Sequence, residues 1–192
     1  MVQKKTLLDS NAYFRLAYNV HPLLFMEFGV EKYCLYIIEE LMEEFKRNPR
    51  LLNKFDWVKD KEFADNRNHP IIISAKQKKE ILDVTGYIWG MSREVGVSMI
   101  DVKAVATALT LKVKLVSDDG GVQEISKTYG VNCISSLSLL KLMLDNKHID
   151  LEKVRQTVAY WRFNKDTPKN FRQDYKALFG EDIPPWDYSS KD

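Results

Sequence analysis

Short apolar runs alternate along the chain with longer segments in which apolar residues recur at helical spacing. Such an alternation is typical of a parallel β-sheet whose strands are connected by covering helices. It predicts an α/β fold with a mainly parallel, five-stranded sheet. The predicted strands lie at residues 5–8, 33–38, 71–73, 113–116 and 131–134.

Two serines carry strong signals for the start of a helix. Ser74 is followed three residues later by Gln77, and Ser98 is followed at the same spacing by Asp101. This is the spacing of a capping box, in which two side chains satisfy N–H groups at the helix N-terminus. We therefore expect one helix from Ser74 through about residue 93 and another from Ser98 through residue 111.

Weaker signals assign the segments between these elements. Helical spacing at 12–18, 39–45 and around 137–144 predicts three further helices. The polar stretch 59–69 predicts a long surface loop, and the sequence SDDGG at 117–121 predicts a turn.

The C-terminal quarter of the chain has a different pattern, because two helical segments follow each other with no strand between them. They lie at 150–164 and 167–179; Thr167-Pro168 predicts the start of the second, and Gly180 predicts its end. We expect residues 1–145 to form the α/β domain and residues 146–192 to form a helical extension packed on it.

Composition narrows the class of protein. The 192 residues include 29 Lys and Arg against 27 Asp and Glu, so the formal net charge is +2. A hydrophobic content of 45% is typical of a globular protein, and the near-neutral balance excludes a strongly basic polyanion binder. No apolar run is long enough to span a bilayer, and the N-terminus lacks a signal-peptide pattern, so we expect a cytoplasmic location. Cys34 and Cys133 are expected to be buried free thiols.

Acidic residues occur where the predicted strands end and the predicted helices begin. Asp9 follows the first strand, Glu40 lies in the first turn after the second, Asp118 and Asp119 follow the fourth, and Asp101 opens the helix that leads into the fourth. In a parallel sheet with crossover helices these positions share one edge, where ligands bind. Each acid alone is explained by helix capping.

Several carboxylates close together repel one another unless a cation neutralises them. Oxygen ligands of this kind favour Mg²⁺ or Mn²⁺. Mg²⁺ typically uses one or two protein carboxylates together with phosphate oxygens of a substrate, which favours metal-assisted hydrolysis of a phosphodiester, with one or two metal ions.

Four short motifs resemble, in their order and strand context, those of the PIN-domain nucleases. They are LLDSN at 7–11, IEEL at 38–41, DVKAVA at 101–106 and LVSDD at 115–119, and the resemblance covers roughly residues 4–145. It implies a doubly wound α/β/α sandwich and a Mg²⁺- or Mn²⁺-dependent endoribonuclease that hydrolyses RNA. In toxin members of the family, a protein antitoxin and a homodimer would also be expected.

The resemblance assigns roles to individual residues. Asp9, Glu40, Asp101 and Asp119 correspond to the catalytic, metal-binding acids, and the Ser117 hydroxyl corresponds to a supporting group. Asn11 in the first motif is a further supporting residue.

Two acids have neighbours that compete for the same role. Glu40 is preferred over Glu39 because it directly precedes Leu41, and Asp119 is preferred over Asp118 by counting from Ser117. Asp118 is then an auxiliary metal ligand.

Arg15, on the helix that follows Asp9, is a candidate for binding the scissile phosphate; a solvated surface arginine is equally consistent with the pattern.

Residues 147–176 contain eight Lys and Arg against four Asp and Glu, so a module that binds RNA or a protein without cutting is the alternative function. A DNA-directed nuclease is a third. A phosphoaspartate receiver domain is disfavoured because no acidic pair follows the first strand.

Overall fold

The sheet of the protein is parallel and has four strands in a computed structural model that describes residues 2–41, 49–68 and 70–188. The strands are β1 (Lys4–Leu8), β2 (Tyr33–Tyr36), β3 (Lys114–Val116) and β4 (Cys133–Ile134). Their order across the sheet is β2-β1-β3-β4, and every neighbouring pair is parallel. The predicted α/β class with a parallel sheet is confirmed.

The C-terminal part of β1 is buried because its neighbouring strands and the covering helices exclude water from it. Leu7 lies opposite Tyr36 of β2 and Leu115 of β3, and Leu8 lies opposite Val116. A strand that is covered on both faces is apolar throughout rather than alternating, which explains the leucine pair at its end.

Apart from a helix that begins at Glu40, nine helices and two 3₁₀ turns connect or flank the strands within the described residues. The helices are α1 (Ser10–Ala17), α2 (Pro49–Lys54), α3 (Lys61–Arg67), α4 (Ala75–Met91), α5 (Met99–Leu111), α6 (Gly120–Thr128), α7 (Ser136–Asp145), α8 (Leu151–Phe163) and α9 (Phe171–Phe179). The 3₁₀ turns are Asp56–Lys59 and Arg93–Val95.

Both predicted capping boxes are present. The Ser74 hydroxyl accepts a hydrogen bond from the Gln77 N–H at 3.3 Å at the start of α4, and Ser98 accepts one from the Asp101 N–H at 3.2 Å at the start of α5. A further predicted helix, at 39–45, begins at Glu40, and its residues 42–45 lie outside the described residues.

The predicted third strand, at residues 71–73, is wrong. The Ile71 N–H donates to the Ile37 carbonyl at 3.4 Å, but the segment forms no strand and Ile72 is 88% exposed. The outer edge of β2 is occupied instead by the segment before it, through a hydrogen bond from the Phe25 N–H to the Leu35 carbonyl at 3.2 Å. An antiparallel bridge between residues 28 and 33 extends this pairing.

The predicted surface loop at 59–69 is also wrong, since it contains α3 and part of the preceding 3₁₀ turn. Phe63 is buried within this segment, and Trp57 and Val58 are buried just before it. The guanidinium of Arg67 is buried with them and donates to the Tyr13 hydroxyl at 3.0 Å and to the Val58 carbonyl at 2.6 Å. Few apolar residues therefore anchor this segment, which is why its pattern resembles that of a loop.

Two further boundaries differ from the prediction. The turn predicted at 117–121 is shorter, because α6 already begins at Gly120 with Asp119 as its N-cap. The last helix begins at Phe171 rather than at Thr167-Pro168, because Asn170 adopts a left-handed conformation with φ +58° that ends the preceding turn. Gly180 ends this helix as predicted, with φ +73°.

The C-terminal helices pack against the α/β part of the chain. Trp161 of α8 is buried, and its indole N–H donates to the Arg15 carbonyl at 2.6 Å. The following segment returns to α8, where the Arg155 guanidinium donates to Glu181 at 3.0 and 2.6 Å. The C-terminal segment thus contacts helix α1 at Arg15, through Trp161 and Asp166.

Both cysteines are free thiols; Cys34 is buried and Cys133 is half-buried. None of the helices in the described ranges is long and apolar enough to cross a membrane.

Replacing two glycines of α4 should stabilise the protein. Gly86 and Gly90 lie inside the helix, and a Cβ atom added at either position meets no other atom within 4 Å. We expect Gly86→Ala and Gly90→Ala each to raise the free energy of unfolding by about 0.5–1 kcal/mol, because alanine restricts the unfolded chain. Urea unfolding measures this. Gly29→Ala is the contrasting control: with φ +68° and Asn146 against its added Cβ, it should destabilise.

Candidate metal centre at the carboxyl ends of the strands

Asp9 lies at the end of the central strand, where β1 turns into α1. Its N–H donates to the Val116 carbonyl of β3 at 3.1 Å, and its Oδ1 accepts a hydrogen bond from the Ala12 N–H at 2.7 Å, which caps α1. The residue is only 4% exposed. Its second oxygen, Oδ2, is buried without a hydrogen-bond partner. A buried carboxylate oxygen in this state is costly unless a proton or a cation compensates it.

The surroundings of Asp9 disfavour its negative charge. Burial raises the pKa of Asp9 to about 7, and the negative charges of Asp118 and Asp101 add to the rise. The Ser117 hydroxyl and the Ala12 N–H lower the pKa of Asp9, because both stabilise its ionised form. Near neutral pH this carboxyl group is therefore poised between its protonated and ionised forms.

The turn after β3 carries the other acids predicted at this edge. Ser117 is fully buried, and its hydroxyl accepts a hydrogen bond from the Asp119 N–H at 3.1 Å. Asp119 is exposed, and its Oδ1 accepts a hydrogen bond from the Val122 N–H at 3.0 Å. Asp119 thus caps α6 while its carboxylate faces solvent at the mouth of the turn.

Asp118 is held by the protein on both carboxylate oxygens. Its Oδ2 accepts a hydrogen bond from Arg15 at 2.6 Å, and its Oδ1 accepts one from the Ser136 N–H at 3.0 Å. The side chain of Asp118 is 4% exposed and that of Arg15 is 11% exposed. Arg15 also reaches Asp166 of the C-terminal segment, whose carbonyl accepts a hydrogen bond from Nε at 3.2 Å. This guanidinium is thus engaged by two aspartates at the position predicted for a phosphate contact.

Asp101 and Glu40 flank the same edge. Oδ2 of Asp101 accepts the Ser98 N–H at 3.0 Å in the capping box of α5, and the side chain is half-buried. Glu40 is half-buried and forms an ion pair with Lys103, two residues beyond Asp101 on the same helix.

Asp101 and Asp118 thus lie near enough to Asp9 for their charges to act on it, and Ser117 interacts with its carboxylate. Glu40 pairs instead with a lysine, and Asp119 caps a helix. The remaining predicted site residue, Asn11, is exposed, and so is Glu39, the alternative to Glu40.

Two residues near the edge were not predicted from sequence. Lys103 lies within the DVKAVA motif, and its position two residues after Asp101 was a signal available in the sequence. No sequence pattern indicated that Cys133 lies near this edge, because only the pairing of β4 with β3 brings it close to Asp9. Burial raises the pKa of its thiol to about 11, and the charges of Asp9 and Asp118 contribute to that rise.

Whether a divalent cation fits this site depends on the side-chain oxygens that could bind it. No group of three or more His, Cys, Asp or Glu side chains in residues 2–41, 49–68 and 70–188 lies close enough together to hold a metal ion. The unpartnered Oδ2 of Asp9 does fit a cation, because a positive charge there would satisfy the oxygen and relieve repulsion from Asp101 and Asp118. Mg²⁺ needs only one or two protein carboxylates and completes its shell with water or phosphate oxygens. The donor set suits such an open site.

No protein-family model matches the chain, and no curated protein matches it significantly. A functional assignment of this edge therefore depends on the chemistry of its own residues.

Proposed function

We propose that the protein is a metal-dependent endoribonuclease, built as a doubly wound α/β/α sandwich of the PIN type, with its active site at the carboxyl ends of the strands. The observation that carries the proposal is the buried Oδ2 of Asp9, which has no hydrogen-bond partner although two further carboxylates act on it. Perturbed carboxyl groups at the strand ends of an α/β sheet are typical of active sites.

The acids would have different roles, according to how exposed and how hydrogen-bonded each carboxylate is. Asp9 would contribute its free oxygen to Mg²⁺ or Mn²⁺, and the exposed Asp119 would contribute a second carboxylate. Asp101 would act on this site through its charge. Such a cation supplies a Lewis acid that activates water and stabilises the leaving oxygen of a phosphodiester. Asp118, already bound on both oxygens, would act as a positioning residue by fixing the turn that carries Asp119.

The remaining predicted residues would support these acids. The Ser117 hydroxyl holds the Asp119 N–H and thereby fixes the backbone beside Asp9. Lys103 limits the negative charge of the edge by pairing with Glu40, and it places an ammonium group where a substrate phosphate would approach.

Cleavage of end-labelled single-stranded RNAs with Mg²⁺, with Mn²⁺ or with EDTA tests the proposal. Cutting should occur with either metal, stop with EDTA and be lost in Asp9→Asn. Asp182→Asn, which removes an exposed carboxylate far along the chain, should cut like the wild type. Matched DNA strands in the same assay separate a ribonuclease from a DNA-directed nuclease. Absence of metal-dependent cutting from every strand would contradict the proposal.

Neutralising the two adjacent aspartates should have different effects. Asp119→Asn keeps a good N-cap for α6, so we expect its free energy of unfolding to stay within about 0.5 kcal/mol of the wild type while cleavage is lost. Asp118→Asn weakens the bond to the buried Arg15 and should lower stability by about 2 kcal/mol. Urea unfolding and the cleavage assay, run on both variants, measure this. Normal cleavage by Asp119→Asn would contradict its role as a ligand.

A further inference from the structure

A cavity of about 760 Å³ lies between strand β2 and helices α4 and α5. Its apolar wall includes the rings of Phe25 and Tyr36 and several isoleucines, among them Ile81. Both its volume, inside the range of about 300–1,000 Å³ common for small-molecule sites, and its aromatic lining suit a flat organic group.

The charged part of the lining has a small excess of positive charge, with three lysines against two glutamates. Lys5, Lys78 and Lys103 line the cavity together with Glu39 and Glu40. Glu40 is already paired with Lys103, and the ammonium of Lys5 lies 5.6 Å from the centre of the Tyr36 ring. A ligand that combines an aromatic group with negative charge would therefore match this cavity.

The cavity shares Glu40 with the acids predicted for the candidate metal centre, whereas Asp9, Asp101, Asp118 and Asp119 do not line it. Glu40 and Lys103 line it, and Lys103 is two residues from Asp101, whose charge acts on Asp9. A chain of nucleotides with one phosphodiester at Asp9 would bring a neighbouring nucleotide toward Lys103.

We propose that this cavity binds one nucleotide of a single-stranded nucleic acid beside the nucleotide that is cut. The base would pack against Phe25 and Tyr36, and the phosphate would lie beside Lys78 and Lys103. Only an unpaired base can enter, so the cavity would select single strands over duplexes. The inference rests on the proposed nuclease function, because that function places a phosphodiester of the same strand at Asp9. Binding of a nucleotide in the cavity does not itself require cleavage.

Photo-crosslinking tests the binding directly. The probe is a hexaribonucleotide that carries 4-thiouridine, mixed with the wild-type protein in EDTA, irradiated and mapped by mass spectrometry. We expect crosslinks in peptides that contain Phe25 or Tyr36, and none when the probe is annealed to its complement. The same probe with 4-thiothymidine in deoxyribose form shows whether DNA is accepted. Crosslinks confined to helices α8 and α9 would overturn the proposal.

Two adjacent lysines of α4 provide a matched pair for the charge. Both side chains are exposed, but Lys78 lines the cavity and Lys79 does not. Lys78→Glu should weaken binding of the hexaribonucleotide by about fivefold to tenfold, the loss expected for one charged contact, and Lys79→Glu by less than about twofold. Equal weakening by the two variants would overturn the proposal.

The two experiments distinguish failure of the proposed nuclease function from failure of the proposed nucleotide site. Crosslinks in the cavity without any metal-dependent cutting would support the nucleotide site and overturn the nuclease. Cutting that depends on Asp9, with no crosslink in the cavity, would overturn the nucleotide site alone.

Discussion

Asp9→Asn should abolish cleavage and, relative to the wild type, should stabilise the metal-free protein more at alkaline than at acidic pH. We expect cleavage to fall by at least about a hundredfold, because loss of an outer-shell partner of a metal typically costs about 10–100-fold and Asp9 would bind the metal directly. Asparagine is similar in size and also caps helices, so the variant should fold.

The pH dependence follows from the pKa of Asp9, which is about 7 in the folded protein against an ordinary value of 3.8. Because the folded state holds this proton more tightly than the unfolded state, the contribution of Asp9 to stability falls as pH rises from about 4 to about 7 and then levels off. The substituted asparagine does not ionise, so the variant escapes this loss. The stability difference between Asp9→Asn and the wild type should therefore shift by about 3 kcal/mol in favour of the variant between pH 5 and pH 8.

Urea unfolding in EDTA at pH 5 and pH 8 measures this difference. Asp182→Asn is the control, because the side chain that it replaces is 85% exposed and carries the same charge. A stability difference between Asp9→Asn and the wild type that does not change with pH would contradict the buried, charge-disfavouring site described for Asp9.

Arg15→Ala should be among the most destabilising single substitutions in the protein. Its guanidinium neutralises Asp118, and both side chains are nearly inaccessible to solvent. Removal of the arginine leaves a buried carboxylate with one hydrogen bond, from the Ser136 N–H, and also removes the contact between Arg15 and Asp166. We expect a loss of about 3–5 kcal/mol in the free energy of unfolding.

A second arginine provides the control for this prediction. Arg155 makes two hydrogen bonds to Glu181, but the two side chains are 34% and 26% exposed. Arg155→Ala should cost about 1 kcal/mol or less, because water replaces the lost partner. The double variant Arg15→Ala, Asp118→Ala should be more stable than Arg15→Ala alone, since no unpaired charge remains. Equal losses for Arg15→Ala and Arg155→Ala would contradict a buried ion pair.

Local signals in the sequence are sufficient for most of the elements and for the position of the acids. The capping boxes at Ser74 and Ser98 depend on residues three positions apart, and both helices begin where those residues predict. The parallel order of strands follows from the alternation of strand and helix, which places Asp9 and the turn after β3 at one edge.

Contacts between distant parts of the chain are not predictable in the same way. Residues 71–73 have the apolar pattern of a strand, but the edge of β2 that they would join is occupied near Phe25. The sequence pattern favours Asp118 as an auxiliary ligand, whereas it pairs with Arg15, 103 residues away. No local pattern reveals that partner or the proximity of Cys133 to Asp9.

Thermal unfolding with and without Mg²⁺ at pH 8 tests most directly whether Asp9 marks a cation site. At a Mg²⁺ concentration well above its dissociation constant, the midpoint of the wild type should rise by about 5 °C or more, since the cation binds only the folded state. The rise should be smaller at pH 6, where Asp9 holds a proton, and Asp182→Asn should repeat it. Asp9→Asn should shift by less than about 1 °C. An equal shift in Asp9→Asn and the wild type, or no shift in the wild type at either pH, would contradict the account.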